Sequence, residues 1–501
     1  ILRAGRDLGV LDGHPGLGEL RFAHDLYRDY FAGLHLATNP QPELARQAWR
    51  HAEVTPKLEG ALAQLEPADQ LPLLPDSPWA EAMHFAACMS RDTDGFLDGL
   101  SRHNQSLAGA CMDQPEVRRR LSANALISQL DHLVDRATDP EADLRERIHC
   151  GRILGHLGDP RFKRRRGPVG EYLAAPLVQI PAAEYVIGIN EPIAEVDGDD
   201  GLDEMPEHRL ALGPFLIGKF PITNAEWRCF MEAGGYEDDR WWNTPTASAW
   251  QQGEGTMAGT RANMRYWRDQ HRSDPEWLHQ GYLDGQIPKD EYELGVERAK
   301  LDDVAYEALL LEICPDELIR QPLYWEDQRL NSPVQPVVGI CWYEARAYCG
   351  WLSAQLDRVV RLPSEVEWEA CARGVDGRQY PYPGPYNPMA GNYLELKLRF
   401  PTPVGVFPLG ETPEGVSDMA SNVLEWTRSL WGDDDDYPLF RYPYDARDGR
   451  EAEESHSGTM GIMKGVAPAS SRFHSRMTYR HNLGRGHRGR FSGMRITVDC
   501  E

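Results

Sequence analysis

The feature that most constrains this chain is a change of texture near residue 177. Before it, apolar residues recur at the spacing of amphipathic helices. After it, Gly, Pro and aromatic residues surround short alternating runs of the kind that form strands. A chain of 501 residues is too long for one hydrophobic core, so the change reads as a domain boundary. The expected architecture is multidomain: an all-α domain over residues 1–165, a linker over 166–176 and an α+β domain over 177–501.

In the first part, Phe22, Leu26, Tyr30 and Leu34 share one face of a helix expected over Leu20–Leu36 and stopped by Asn39-Pro40. Similar stretches follow at Trp79–Met89, Gly95–Leu100, Val117–Val134 and Leu144–Leu157, with no strand pattern between them. They predict a helical bundle or short solenoid. His24 reads as a capped or core-facing structural residue. The run Arg161–Arg166, followed by Gly167-Pro168, reads as a charged linker.

Several classes are disfavoured. No apolar run approaches the roughly 18 residues of a membrane span, and no apolar stretch follows the first residues as in a signal peptide. Nine cysteines without a C-x-x-C pair predict reduced thiols and a cytoplasmic location. No Lys is followed by Ser or Thr, so a phosphate-binding loop is missing. A net charge of −25 argues against nucleic acid as a partner. The chain begins without Met and is expected to be part of something longer. Within Gly461–Val498 there are eight Lys or Arg and no acid, preceded by Asp433–Asp436, Asp445, Asp448, Glu451, Glu453 and Glu454. These two stretches are expected to pair with one another.

Leu20-Arg21-Phe22-Ala23-His24-Asp25-Leu26 with Tyr30-Phe31-Ala32 resembles the helix that follows the ATPase core of NACHT-type STAND NTPases. Pro78–Ala82 and Asn104–Ala108 are similar to the helical repeats beyond it. The resemblance implies an ATPase upstream, through which the protein could oligomerise.

The second part carries five blocks in order. They are the strand-like run Val178–Gly188; Phe215–Trp227, where Thr223 and Glu226 form a capping box; Gln335–Ala345, opening a helix to Leu356; Arg361–Glu369; and Asp418–Thr427. Together they resemble the sulfatase-modifying, or formylglycine-generating, family, whose fold is a C-type-lectin variant. An insertion over 236–330 is rich in Trp, with one helical stretch at Tyr292–Ile313. Its tryptophans are expected to pack onto the main core.

The resemblance also carries expectations about chemistry. Catalytic members hold Cu(I) with two cysteines, soft ligands that follow an Arg-Gly-Gly-Ser motif. Here that motif is Lys464-Gly465-Val466-Ala467, and no cysteine lies between Cys371 and Cys500. The H-x-x-x-H-x-E iron triad of the related ergothioneine-pathway oxidases is also missing. The expectation is therefore a protein that is not an enzyme and takes no copper, with a sulfatase-modifying oxidoreductase as the alternative. A structural calcium is implied at Asp418, Ser421, Val423 and Glu425, the middle two through carbonyls. Asn392 and Tyr393 match only the start of a second site.

In the last forty residues the family frame persists at Gly465, Arg476, Arg480, Gly493 and Arg495 around an unusual filling. The three arginines are expected to be buried and paired. Ser471, His474, Tyr479, His481, Asn482, Arg485, His487, Arg488 and Arg490 are expected to form an exposed ligand-binding face. This is similar to the variable proteins of diversity-generating retroelements. The implied function is ligand recognition coupled to a STAND NTPase, with a protein ligand of acidic surface and neither membrane nor nucleic acid as partner.

Overall fold

The computed structural model describes residues 10–12, 21–67, 69–193, 201–285, 287–434, 437–456, 458–468, 470 and 474–500. The chain divides into two units: Ile1–Leu58 with Pro72–Pro160, and Glu59–Leu71 with Arg161–Glu501. No helix among the described residues is long and apolar enough to cross a membrane.

The first unit is helical. Its main helices are α1 (Asp25–Thr38), α2 (Ala80–Met89), α3 (Thr93–Ser101), α4 (Gln105–Met112), α5 (Ala123–Thr138) and α6 (Leu144–Leu157). The side chains of Asp92, Asn104, Ser122 and Asp143 cap α3 to α6 by accepting early backbone N–H groups. Such caps contribute about 1 kcal/mol each. Ser122 also explains why the helix expected at Val117–Val134 is broken in two. The first helix starts at Asp25 because the His24 ring accepts from Leu26 N at 3.1 Å, while Phe22 lies in a two-residue strand. The stripe expected to face the core points outward, with Leu26 51% exposed and Tyr30 and Leu34 nearly as much. Gly33 and Leu36 are buried instead. A Cβ on Gly33 would stand 2.5 Å from that of Phe85, so α1 packs on α2 through its glycine face.

The second unit begins earlier than expected. Residues of the predicted linker form a hairpin of β1 (Lys163–Gly167) and β2 (Gly170–Ala174), closed by Pro168-Val169. Arg161 lies over the Phe220 ring, whose other neighbour is Phe162. The basic run is thus part of this unit. Beyond it come β3 (Leu177–Ile180), β4 (Ala183–Ile187), β5 (His208–Leu212) and β6 (Phe215–Gly218). Next are the helix α7 (Asn224–Glu232), the insertion helix α8 (Ala258–Ser273), α9 (Trp342–Leu356), the strand β7 (Val360–Arg361) and α10 (Glu365–Arg373). The last strands are β8 (Leu424–Gly432), β9 (Met460–Gly465), β10 (His481–Gly484), β11 (Ser492–Met494) and β12 (Thr497–Asp499). Two four-stranded sheets result, ordered β3-β6-β12-β7 and β10-β9-β8-β11. Pairing is antiparallel except between β8 and β11.

The capping boxes at Thr223/Glu226 and Ser364/Glu367 are present. Between the sheets and α9, Trp227, Trp342, Trp351 and Trp426 are buried with Phe230 and Tyr348. The strap Glu59–Leu71 joins this unit through Leu71 N, which donates to Lys397 O, and Lys397 Nζ, which donates to Leu65 O.

Among the described residues, the tail cations do not form ion pairs with the acidic stretch before them. Arg476, Arg480 and Arg495 pair with Glu204, Glu365 and Glu425, and Lys464 with Glu369. The acidic stretch has local partners, such as Arg428 for Glu451 and Arg450 for Asp448. Removing one member of a fully buried pair leaves a charge uncompensated, which costs about 3–5 kcal/mol. Urea unfolding of the Arg480→Ala variant should show a loss of that size, and a loss below about 1 kcal/mol would contradict the pairing.

Candidate functional site

The site begins with glycines. Helix α8 starts against the tail so closely that a Cβ on Gly259 would lie 2.5 Å from His487 N and 2.8 Å from Gly486 C. Gly486 in turn faces Gly255 O and the Trp250 indole nitrogen. This backbone-to-backbone contact brings insertion and tail together and leaves a cleft of about 1470 Å³ between them. Trp267 and Trp277 form part of one wall, their rings stacked 5.7 Å apart. Tyr479 lies between His474 and His481 on the other, with ring centroids 5.4 and 5.8 Å away. The buried lining includes Trp250, Tyr343, Arg485 and His487.

Seven of the nine tail residues singled out in the sequence line this cleft: His474, Tyr479, His481, Asn482, Arg485, His487 and Arg490. Ser471 lies outside the described residues. The expectation of an exposed, cationic face needs correction at several positions. Arg488 is buried and pairs with Glu344 at 3.1 Å, so it belongs to the framework. Arg485 is buried as well. Arg490 is half-buried and bound to Glu291 at 2.9 Å. His481 and His487 are pushed down to about 4 by burial, so both are neutral at pH 7. Glu254, Asp274 and Asp433 add carboxylates to the lining.

The insertion differs from expectation too. The stretch Tyr292–Ile313 is two helices, Lys289–Ala299 and Asp303–Ile313, because Asp302 caps the second. Trp242 and Trp250 pack into the core, with Trp241 and Trp325 at its edge, as expected. Trp267 and Trp277 instead line the cleft. The signal that could have found them was their position near the glycines at 253, 255 and 259.

The residues matched to calcium are largely committed elsewhere. Both oxygens of Glu425 accept from Arg495, and one also accepts from the Trp368 indole. The Ser421 hydroxyl donates to the carbonyls of Asn392 and Val466. Asp418 Oδ2 accepts from Gly405 N, and only its Oδ1 is buried without a partner. Among the described residues, no group of three or more His, Cys, Asp or Glu is placed to hold a metal. Of the four, Glu425 and Ser421 are engaged by protein partners, and Asp418 Oδ1 is the buried side-chain oxygen left without one. No described cysteine lines the cleft; Cys349 and Cys371 are buried thiols, each pushed up to about 12 by burial.

The second unit thus combines two four-stranded sheets and flanking helices with a cleft framed by its terminal segment. Residues 174–500 match the sulfatase-modifying factor enzyme 1-like domain, and the chain belongs to that family. A hercynine oxygenase of Mycolicibacterium smegmatis is 28% identical over 65% of this chain and 62% of its own length. The formylglycine-generating enzyme of Bos taurus is 24% identical over 51% of this chain and 58% of its own. Variable protein 1 of Treponema denticola superposes with a TM-score of 0.36 at 16% identity, covering 68% of this chain and 99% of that one. The chain spans between 42% and 62% of the length of the hercynine oxygenases it matches. The expectation that the chain is not an enzyme is corrected by these relatives: the hercynine oxygenases and formylglycine-generating enzymes it resembles in sequence are named as enzymes, beside formylglycine-generating enzyme 2 of Bos taurus, 29% identical over 51% of this chain and named as inactive.

Two outcomes follow from the cleft. A Cβ on Gly259 must displace tail backbone, so Gly259→Ala should destabilise the protein by about 1–3 kcal/mol in urea unfolding; an unchanged midpoint would contradict the contact. For His481 and His487 the folded value lies below the ordinary 6.5. The unfolded chain therefore takes up protons first, and stability falls as pH drops from about 6.5 towards 4. Glu226, pushed up to about 7 by burial, and Asp418, up to about 6, act in the opposite sense, so a difference measurement is needed. The melting temperature of His481→Gln relative to wild type should rise between pH 7.5 and 5, and a constant difference would refute the neutral, buried imidazole.

Proposed function

We propose that the second unit holds an organic ligand in the cleft between tail and insertion, and that this ligand is the molecule on which the protein acts. One observation carries the reading: the tail residues set apart by their unusual composition and the insertion's stacked tryptophans face the same 1470 Å³ space. Stacked rings, a Tyr-His ladder and neutral imidazoles suit a ligand with a flat or apolar body and several polar groups. That ligand is either a small molecule or a side chain presented by a protein partner.

The relatives' names carry two reactions, oxygenation of hercynine and generation of formylglycine. The sequence holds neither the cysteine pair of the second nor the H-x-x-x-H-x-E triad of the first, so the two names supply candidate ligands for the cleft. The nine cysteines are all free, which supports work in a reducing compartment such as the cytoplasm. The resemblance of the N-terminal helices to those following NACHT-type ATPases supports coupling of cleft occupancy to a nucleotide-driven module.

Tryptophan fluorescence, titrated with hercynine and with a sulfatase-type cysteine peptide, tests the reading. At least one should give a saturable change, and Trp267→Ala and Tyr479→Ala should each weaken it about tenfold, roughly 1.4 kcal/mol. No saturable change with either probe, or affinities indifferent to both substitutions, would overturn it.

A further inference from the structure

The buried arginines of the second unit fall into two kinds. Arg476, Arg480, Arg488 and Arg495 each meet a glutamate at 2.5–3.1 Å. Arg485, only 1% exposed, meets none. Its Nε donates to Thr459 O, and its Nη2 to the carbonyls of Ser455 and His456. The guanidinium lies 5.1 and 5.4 Å from the ring centres of Trp342 and Tyr343. Nη1 is buried and has no partner. Burial holds its pKa below the usual arginine range; Glu454 and Asp433 oppose this from a distance, but neither forms an ion pair with it.

A guanidinium stays charged in a protein, and burying it without a counter-charge is strongly unfavourable. Arg485 lines the cleft, so a ligand can supply what the protein does not. Two more buried ring nitrogens lack partners. The Trp250 indole nitrogen and His487 Nδ1 are buried without partners, and both residues line the cleft beside Arg485. Trp250 is tied to this corner by Tyr343, whose ring centre is 6.4 Å from its own.

We propose that the buried end of the cleft is a carboxylate subsite, in which Arg485 Nη1 donates to the ligand's carboxylate with the Trp250 N–H and His487 beside it. The inference rests on the cleft being the ligand site and adds which chemical group enters first. A carboxylate fits better than a phosphate because one negative charge matches one guanidinium. A second would stand unneutralised near the carboxylates of Glu254 and Asp433, which share the lining. Charge-assisted bonds to a carboxylate in a water-poor site are among the stronger hydrogen bonds available. The aromatic walls are left to hold the body of the ligand.

The test uses three probes of similar size, N-acetylphenylalanine, its neutral carboxamide and phenyl phosphate, followed by calorimetry or ligand-observed NMR. The acid should bind at least tenfold more tightly than the amide, and more tightly than the phosphate. Arg485→Met should bring the acid-to-amide ratio close to one while leaving amide binding within about twofold. Arg488→Met should lower the melting temperature more than Arg485→Met, because it leaves the buried Glu344 charge unpaired. Trp250→Phe, which keeps the ring and loses the donor, gives a second measure if the Arg485 variant folds poorly; it should cut the preference at least threefold. Equal binding of acid and amide, both weakened by Trp267→Ala, would overturn the carboxylate subsite and leave the cleft as a ligand site. Tighter binding of the phosphate would overturn the assignment to carboxylate. No binding of any probe at millimolar concentration would overturn the subsite, and with failure of the hercynine and peptide titrations the cleft reading as well.

Discussion

The carboxylate of Glu344 accepts from three parts of the chain at once. Cys341 N donates to Oε2 at 2.8 Å and closes the first turn of α9, while the Tyr236 hydroxyl at the start of the insertion donates to Oε1 at 2.6 Å. Arg488, from the tail, donates to Oε2 at 3.1 Å. Helix, insertion and tail are therefore registered on one buried anion, and the cleft is the space left between the last two. A buried carboxylate with fewer donors would be protonated or would not be tolerated. Glu365 repeats the arrangement lower in the fold, where Arg480, Arg450 and the Tyr442 hydroxyl converge on it.

What the sequence made legible follows the range of the interactions involved. Capping boxes are local, so Thr223/Glu226 and Ser364/Glu367 could be read from a spacing of three residues. The paired state of Arg476, Arg480 and Arg495 could be anticipated because the family frame keeps them. Their partners could not, since Glu204, Glu365 and Glu425 lie 70 to 272 residues away. The first helix illustrates the opposite failure. Its periodicity was real, but periodicity does not say which side is inward, and Gly33 decides that by allowing the closest approach. At the hairpin of β1 and β2, a run of four basic residues looked like linker because alternation of charge against solvent carries no apolar signal.

The tail shows how composition misleads about electrostatics. Eight cations without an acid suggest a positive surface, yet charge counts do not survive burial. Five of the eight arginines and lysines are paired with glutamates inside the unit: Lys464, Arg476, Arg480, Arg488 and Arg495. Arg490 is paired at its edge, and two of the cleft's imidazoles are held neutral. The tail is basic because it must neutralise carboxylates contributed by α9, α10 and β8. Among the described residues lining the cleft, Arg485 keeps a buried cation without a protein carboxylate on it.

The remaining question is why an insertion of surface helices should make a defined wall. Helices joined to a core at two chain ends alone would sample many positions, and a site built on them would lose affinity to the ordering of its own side chains. Here the insertion is held at two further places. At α8 the glycines at 255 and 259 bring its backbone onto that of Gly486 and His487. At the far end, Arg399 donates both to Gly285 O in the insertion and to Pro67 O in the strap, with Lys397 bound to the strap beside it. Lys397 and Arg399 both adopt positive φ, 51° and 65°, a conformation unfavourable for non-glycine residues that persists when the surroundings hold it. Two anchors, one steric and one through guanidinium and ammonium donors, set the position of Trp267 and Trp277 before any ligand arrives. The cost of ordering that wall is met during folding, so binding energy at the cleft can be directed to the ligand's own groups.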